Sequence, residues 1–220
     1  MTHNKRLPAP KHYPIERKQG KYVSGIKGSR SKKSAIPAVM FLREVTEYAD
    51  SAKEARKIVQ KGKILRNGET LRDAKQGIGT LDVVELPDAE ESYRAVRVGD
   101  EMAFVPVEDS EKSAGKIVDK RTENGEFVYS LHNGENYQSE KDYDTGTTLV
   151  FDNSGVRDLP LEEGARVLAT EGGHAGETGE VVSINSRGFD RDTVEVSGET
   201  EFETKKDNVA PIGDLEVSGQ

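Results

Sequence analysis

The residues best suited to chemistry are cations, and the chemistry they suggest is the holding of phosphate. Arg56, Lys57, Lys61, Lys63 and Arg66 crowd one short stretch, and Arg43 precedes them. A second set occupies the first 34 residues, where Lys5, Arg6, Lys11, Arg17, Lys18, Lys21, Lys27, Arg30, Lys32 and Lys33 stand against the single acid Glu16. His12 and Tyr13 are interleaved with them and offer flat faces. Cations that displace counterions, combined with rings that stack on bases, make an RNA-binding pattern rather than a plain charged tail. The bland alternative for the cluster near Arg56 is a solvated helix face.

Other chemistries find little support. There is no cysteine, so disulfides and cysteine zinc sites are excluded, and His3, His12, His132 and His174 are too scattered to suggest a ligand set. Asp142, Asp144 and Asp152 lack the spacing of a calcium loop and read as solvated acidic surface. The glycine-rich stretch "TEGGHAGETGEV", residues 170–181, has no Lys-Ser or Lys-Thr after a glycine and opens no helix, so it is neither a phosphate loop nor a dinucleotide fingerprint. No catalytic residue, metal, cofactor or small-molecule substrate is expected.

Charge is distributed in blocks. The 220 residues carry a net charge of −8, but residues 1–34 hold 10 Lys/Arg against 1 Glu, a net of +9, and residues 35–87 hold 9 against 8. The remaining 13 basic and 31 acidic side chains give residues 88–220 a net of −18. A basic arm on an acidic body points to a polyanion met by the arm. Hydrophobic residues are 33% and aromatics 6%, and mean hydropathy is −0.72, so small, β-rich domains with modest cores are expected. The absence of a long apolar run predicts no membrane partner and a cytoplasmic location.

The elements that must position these cations can be read in order. Pro8, Pro10, Pro14 and a lack of apolar periodicity predict an extended arm over residues 1–34, mobile until it meets RNA. Val39, Leu42, Val45 and Ala49 predict a first helix. Ser51 and Glu54 form a capping box for a second, which ends before Gly62. Asn67-Gly68 predicts a two-residue hairpin, and "TLDVVEL" a further strand. The segments "YRAVRV", "MAFVPV", "GKIVDKR", "EFVYSL" and "TLVF" predict an antiparallel β domain over residues 91–160, with one short helix in "PVEDSEKSAG". "EEGARVLAT" and "EVVSI" predict strands flanking the glycine loop, where glycines allow positive φ and close backbone approach.

The stretch "SAKEARKIVQKGKILRNGETL" resembles the S-four RNA-binding module, over roughly residues 38–86. "ATEGGHAGETGEV" resembles a KOW motif within a small barrel. With "KRLPAPKHY" and "PAVMFLRE", the whole chain resembles the small-subunit ribosomal protein S-four-e family of archaea and eukaryotes. The resemblance implies an α+β, mostly β chain: a basic extended N-terminal arm (1–34), an S-four-like RNA-binding module (35–90), a central antiparallel β domain (91–160) and a C-terminal KOW small β-barrel with its tail (161–220). It implies a non-enzymatic structural constituent of the small ribosomal subunit, partnered by small-subunit ribosomal RNA and neighbouring ribosomal proteins. It also adds Gly173 and His174 to the RNA-facing set. Two other functions fit parts of the pattern: an RNA-binding transcription or translation factor with a KOW domain, and an accessory domain of an RNA-modifying enzyme. The acidic body departs from a family that is usually basic. A salty cytoplasm, or a basic protein neighbour, would account for it.

Overall fold

The computed structural model describes residues 4–123, 125–186 and 191–217. His3 and Asn124 lie outside them. The fold is mostly β. The chain divides into two compact units, the first formed by residues up to 96 with 100–110, the second by 97–99 with 111–217.

In the first unit, β1 (Ala35–Pro37) pairs antiparallel with β4 (Gly77–Gly79). It runs directly into α1 (Ala38–Met40), which continues as a π-helix over Phe41–Val45. Residues 38–42 are all buried, so this short helix is inside on every side rather than along one stripe. The chain leaves it at Glu47, whose φ of 55° ends the helix before Ala49. The expected helical register through Ala49 therefore stops at Val45.

The second helix, α2 (Ala52–Gln60), begins where its cap predicts. Ser51 Oγ accepts from Glu54 N at 3.2 Å, while Glu54 Oε2 accepts from Asp50 N at 3.1 Å, one residue earlier than a reciprocal box requires. Ala55 and Val59 are its buried face, and Gly62 closes it at φ 70°. β2 (Leu65–Arg66) and β3 (Glu69–Thr70) form the expected hairpin, with Asn67 at φ 52° and Gly68 at φ 76° as a type I′ turn demands. β5 (Val83–Leu86), β6 (Glu91–Val98) and β7 (Glu101–Pro106) complete a five-stranded sheet in the order β3-β2-β5-β6-β7. The boundary expected near residue 90 thus falls inside this sheet.

The arm is where expectation and structure part most clearly. It is anchored, not free. His12, Tyr13 and Arg30 are 3%, 5% and 6% exposed, and Ala9 and Tyr13 join the same core as Phe41 and Val59. Lys5 bridges to Tyr22 and Lys27 to Gln76. Arg17 holds the proline-rich turn together by donating to the carbonyls of Leu7, Ala9 and Pro10. Three prolines remove few hydrogen bonds when the remaining backbone groups are bound in this way.

The second unit contains two five-stranded antiparallel sheets. β8 (Ser113–Glu123), β9 (Glu126–Leu131), β10 (Asn136–Ser139), β11 (Thr148–Asp152) and β12 (Gly155–Leu159) are ordered β10-β9-β8-β11-β12 around Ile117, Tyr129, Leu131, Tyr143 and Leu149. β13 (Arg166–Ala169), β14 (Thr178–Asn185), β15 (Thr193–Gly198), β16 (Glu201–Lys205) and β17 (Val209–Pro211) are ordered β16-β15-β14-β13-β17 over a valine-rich core. Lys116 of β8 is buried, and its ammonium donates to the carbonyls of Lys206 and Asp207 at 3.2 and 2.8 Å. Burial pushes its pKa down to about 8. The helix expected in "PVEDSEKSAG" is absent; that stretch is a turn, from which Asp109 reaches the buried Arg94 guanidinium at 2.9 Å.

Candidate nucleic-acid interface

The first unit presents a groove of about 590 Å³ between the arm and the two helices. Its rim carries Arg6, Lys27, Arg43, Arg56 and Lys75 against the single carboxylate Glu44. Its apolar lining is Ile15, Val23 and Ala52, partly exposed, with the buried Val39, Met40 and Ala74 contributing little surface. Tyr22, 52% exposed, stands at one wall.

Each rim cation is placed by a different device. Arg6 is fixed by its backbone, which donates to Lys21 O at 3.0 Å, and by Nε, which donates to Glu16 O at 2.6 Å. Lys27 meets Asp73 at 2.8 Å, and this hydrogen bond raises the lysine's pKa while it lowers that of Asp73. Arg43 projects from the π-helix and lies 3.6 Å from Glu44. Arg56 is exposed on α2, at the edge of the face that buries Ala55 and Val59 and one turn after Ala52.

A buried bond network ties the arm to the hairpin. Arg30 donates to Asp82 from Nε at 2.9 Å and from its terminal nitrogen at 2.6 Å. Asp82 also accepts from Asn67 Nδ2 and Gly79 N, each at 2.8 Å. Burial would raise the Asp82 carboxyl, but the Arg30 guanidinium and these donors outweigh it and hold the pKa below the usual carboxylate range.

The structure therefore sorts the cations and rings singled out in the sequence. Arg6, Lys27, Arg43 and Arg56 converge on the groove. Lys5, Lys11, Lys18, Lys21, Lys32, Lys33, Lys57 and Lys61 are exposed on the same unit, with Lys11 paired to Asp100 at 2.9 Å. Lys63 is half-buried and pairs with Asp88.

His12, Tyr13 and Arg30 are corrections. His12 Nε2 is hydrogen-bonded to Ala35 O at 3.0 Å, and Tyr13, packed edge-on against His12, has its pKa raised to about 12 by burial. Buried rings have no face left for a base. Arg17 is committed to carbonyls, and Arg66 donates to Gly77 O at 2.6 Å. Tyr22 and Lys75, not singled out in the sequence, also line the groove. The alternation of cation and aromatic at Lys21-Tyr22 was a signal available for Tyr22, equal in kind to the one at His12-Tyr13.

The glycine loop belongs to the second unit and is occupied by its own chain. Gly172 and Gly176 have φ of 92° and 97°. A Cβ on Gly176 would sit 2.9 Å from Arg97 O, and one on Gly179 2.5 Å from Ser197 O. His174 is stacked on Phe202 at 4.4 Å and bonded to Glu177 at 3.1 Å, while Gly173 is exposed and a Cβ there would meet no neighbour within 4 Å. Among the described residues, no group of three His, Asp or Glu is arranged to hold a metal ion, and no helix is long and apolar enough to cross a membrane.

Comparison with known proteins decides the family. No family model matches the chain. A small ribosomal subunit protein eS4 from Archaeoglobus fulgidus is 34% identical over 232 aligned positions, covering 98% of each chain. The chain belongs to the eS4 family. The eS4 protein of Methanocaldococcus jannaschii is also 34% identical, over 97% of this chain and 95% of its own, and that of Natronomonas pharaonis 33%, over 99% and 98%. The crystal structure of the 30S ribosomal protein S4e from Thermoplasma acidophilum shares the fold, with a TM-score of 0.70, 22% identity, and coverage of 82% of this chain and 95% of that one. The eS4 family match spans arm, groove, central sheet and glycine loop alike.

Proposed function

We propose that this chain is a structural constituent of the small ribosomal subunit, bound to ribosomal RNA through the basic face of its first unit and set among neighbouring ribosomal proteins in the cytoplasm. The observation that carries this is the end-to-end match to eS4 relatives. The basic groove supports it independently, because beyond the Lys27–Asp73 and Arg43–Glu44 pairs its rim carries Arg6, Arg56 and Lys75, an excess of positive charge suited to an anion. In this reading α1, α2 and the Asn67-Gly68 hairpin are an S-four-like module, and the sheet from β13 to β17 is a KOW small barrel. The acidic remainder keeps the protein hydrated in a salty cytoplasm.

Counterion release contributes little in concentrated salt, so positioned hydrogen bonds and stacking must supply more of the affinity. Replacing Arg56 and Lys57 together by Gln tests the assignment. Binding to small-subunit ribosomal RNA should weaken, and the slope of log affinity against log salt should flatten by roughly 0.7 to 0.9 per lost phosphate contact. A folded double variant with the parent's affinity and slope would remove this face from the interface.

A further inference from the structure

A groove that only clamps phosphates needs no apolar floor. The one between the arm and α1–α2, about 590 Å³, has such a floor. Tyr22 stands beside it, half exposed, its backbone fixed by the bridge to Lys5. An A-form duplex presents phosphates and 2′-hydroxyls on its shallow face and keeps its bases stacked inside, so it has nothing to place on Ile15, Val23 and Ala52. An unpaired nucleotide does. Its base offers an apolar, polarisable face to the floor and to Tyr22, while the flanking phosphates reach Arg6, Arg56 and Lys75 on the rim.

We propose that this groove receives a single extruded nucleobase of the RNA, stacked on Tyr22 above the partly exposed floor of Ile15, Val23 and Ala52. This rests on the RNA-binding function proposed above and specifies the nucleotide state that the groove selects. Such a site would keep its selectivity in concentrated salt, where bare charge fades, because stacking and burial are not screened.

The test uses the full chain and two short RNA hairpins of the same stem, one carrying 2-aminopurine as a single-nucleotide bulge and one fully paired with 2-aminopurine in the stem. The bulged hairpin should bind about tenfold or more tightly, as expected for one stacked base, with quenching of its fluorescence, and the preference should persist as potassium chloride is raised. Tyr22→Ala removes the stacking face, and Ala52→Leu fills the floor from the first turn of α2. Each should bring the bulged hairpin's affinity down to that of the paired one, with circular dichroism reporting that the variants remain folded. Equal affinity of the parent for the two hairpins overturns the inference alone, as does a preference that survives both substitutions. Failure to bind either hairpin, or ribosomal RNA, overturns the RNA-binding reading as well.

Discussion

Arg30 shows how one residue can look like a ligand contact and serve as a rivet. Its guanidinium meets Asp82 in a pair whose side chains are 3% and 1% exposed. Removing one partner of such a pair strands a buried charge, so Arg30→Met should destabilise the first unit by about 3 to 5 kcal/mol, measured by denaturant unfolding. The pH dependence has a definite sign. Asp82 is held below its unfolded pKa, so its contribution is complete above that value and is lost as pH falls through the folded one. The parent should lose stability on acidification below about pH 4, and Asp82→Asn should show a flatter acid limb. Lys116 has the same sign in an alkaline window. Its pKa of about 8 lies below the ordinary 10.5, so between these values the unfolded state binds the extra proton and stability rises with pH. At ~1.4 kcal/mol per tenfold change in proton affinity this is worth about 3 kcal/mol, and the rise should be missing from Lys116→Met. Neither rivet was legible in the sequence. A buried Arg or Lys has the same letter as a solvated one, and its carboxylate or carbonyl partners lie 52 and about 90 positions away.

Elements defined by local rules were legible, and those defined by distant contacts were not. The cap at Ser51, the closure at Gly62 and the turn at Asn67-Gly68 follow from backbone chemistry within four residues. Ser51→Ala should accordingly cost about 1 kcal/mol without altering the strands, as thermal melting would show. Strand existence was legible too, but β8 and β14 each contain a bulge, at 117–119 and 181–183, that turns Val118 and Val182 outward at 54% and 55% exposure. Alternation cannot reveal an inserted residue, because the period resumes on the other side of it. The arm failed for a different reason. Its segment lacks a period of its own, yet Ala9, Tyr13, Ile15 and Val23 complete a core supplied mainly by residues beyond 35. Limited proteolysis of the free protein should therefore spare the arm, and a chain lacking residues 1–34 should melt at a lower temperature even in the absence of RNA. Rapid removal of the arm from an otherwise intact chain would contradict the packing described.

At the scale of the whole molecule, the division of charge was the most informative feature in the sequence, because it requires no knowledge of contacts. Beyond residue 34 the net charge is −17, while the groove of the first unit carries Arg6, Arg56 and Lys75 beside the Lys27–Asp73 and Arg43–Glu44 pairs. Self-repulsion of the acidic body is barely screened in dilute buffer, where the Debye length is roughly 30 Å at 0.01 M, and nearly abolished near 1 M, where it is about 3 Å. The melting temperature should rise from dilute to molar potassium chloride, and rise more than in a neutral osmolyte of equal concentration. A flat or falling curve would leave the carboxylates to a basic protein neighbour. The central claim is that this chain is built into the small ribosomal subunit by the basic face of its first unit. Its most direct test is sedimentation of a lysate, at the salt concentration native to the source cells, expressing either the parent or the Arg56→Gln, Lys57→Gln variant. The parent should travel with the small subunit and the folded variant should shift toward the top of the gradient; a parent that stays at the top, or a variant that travels with the particle undiminished, contradicts the account.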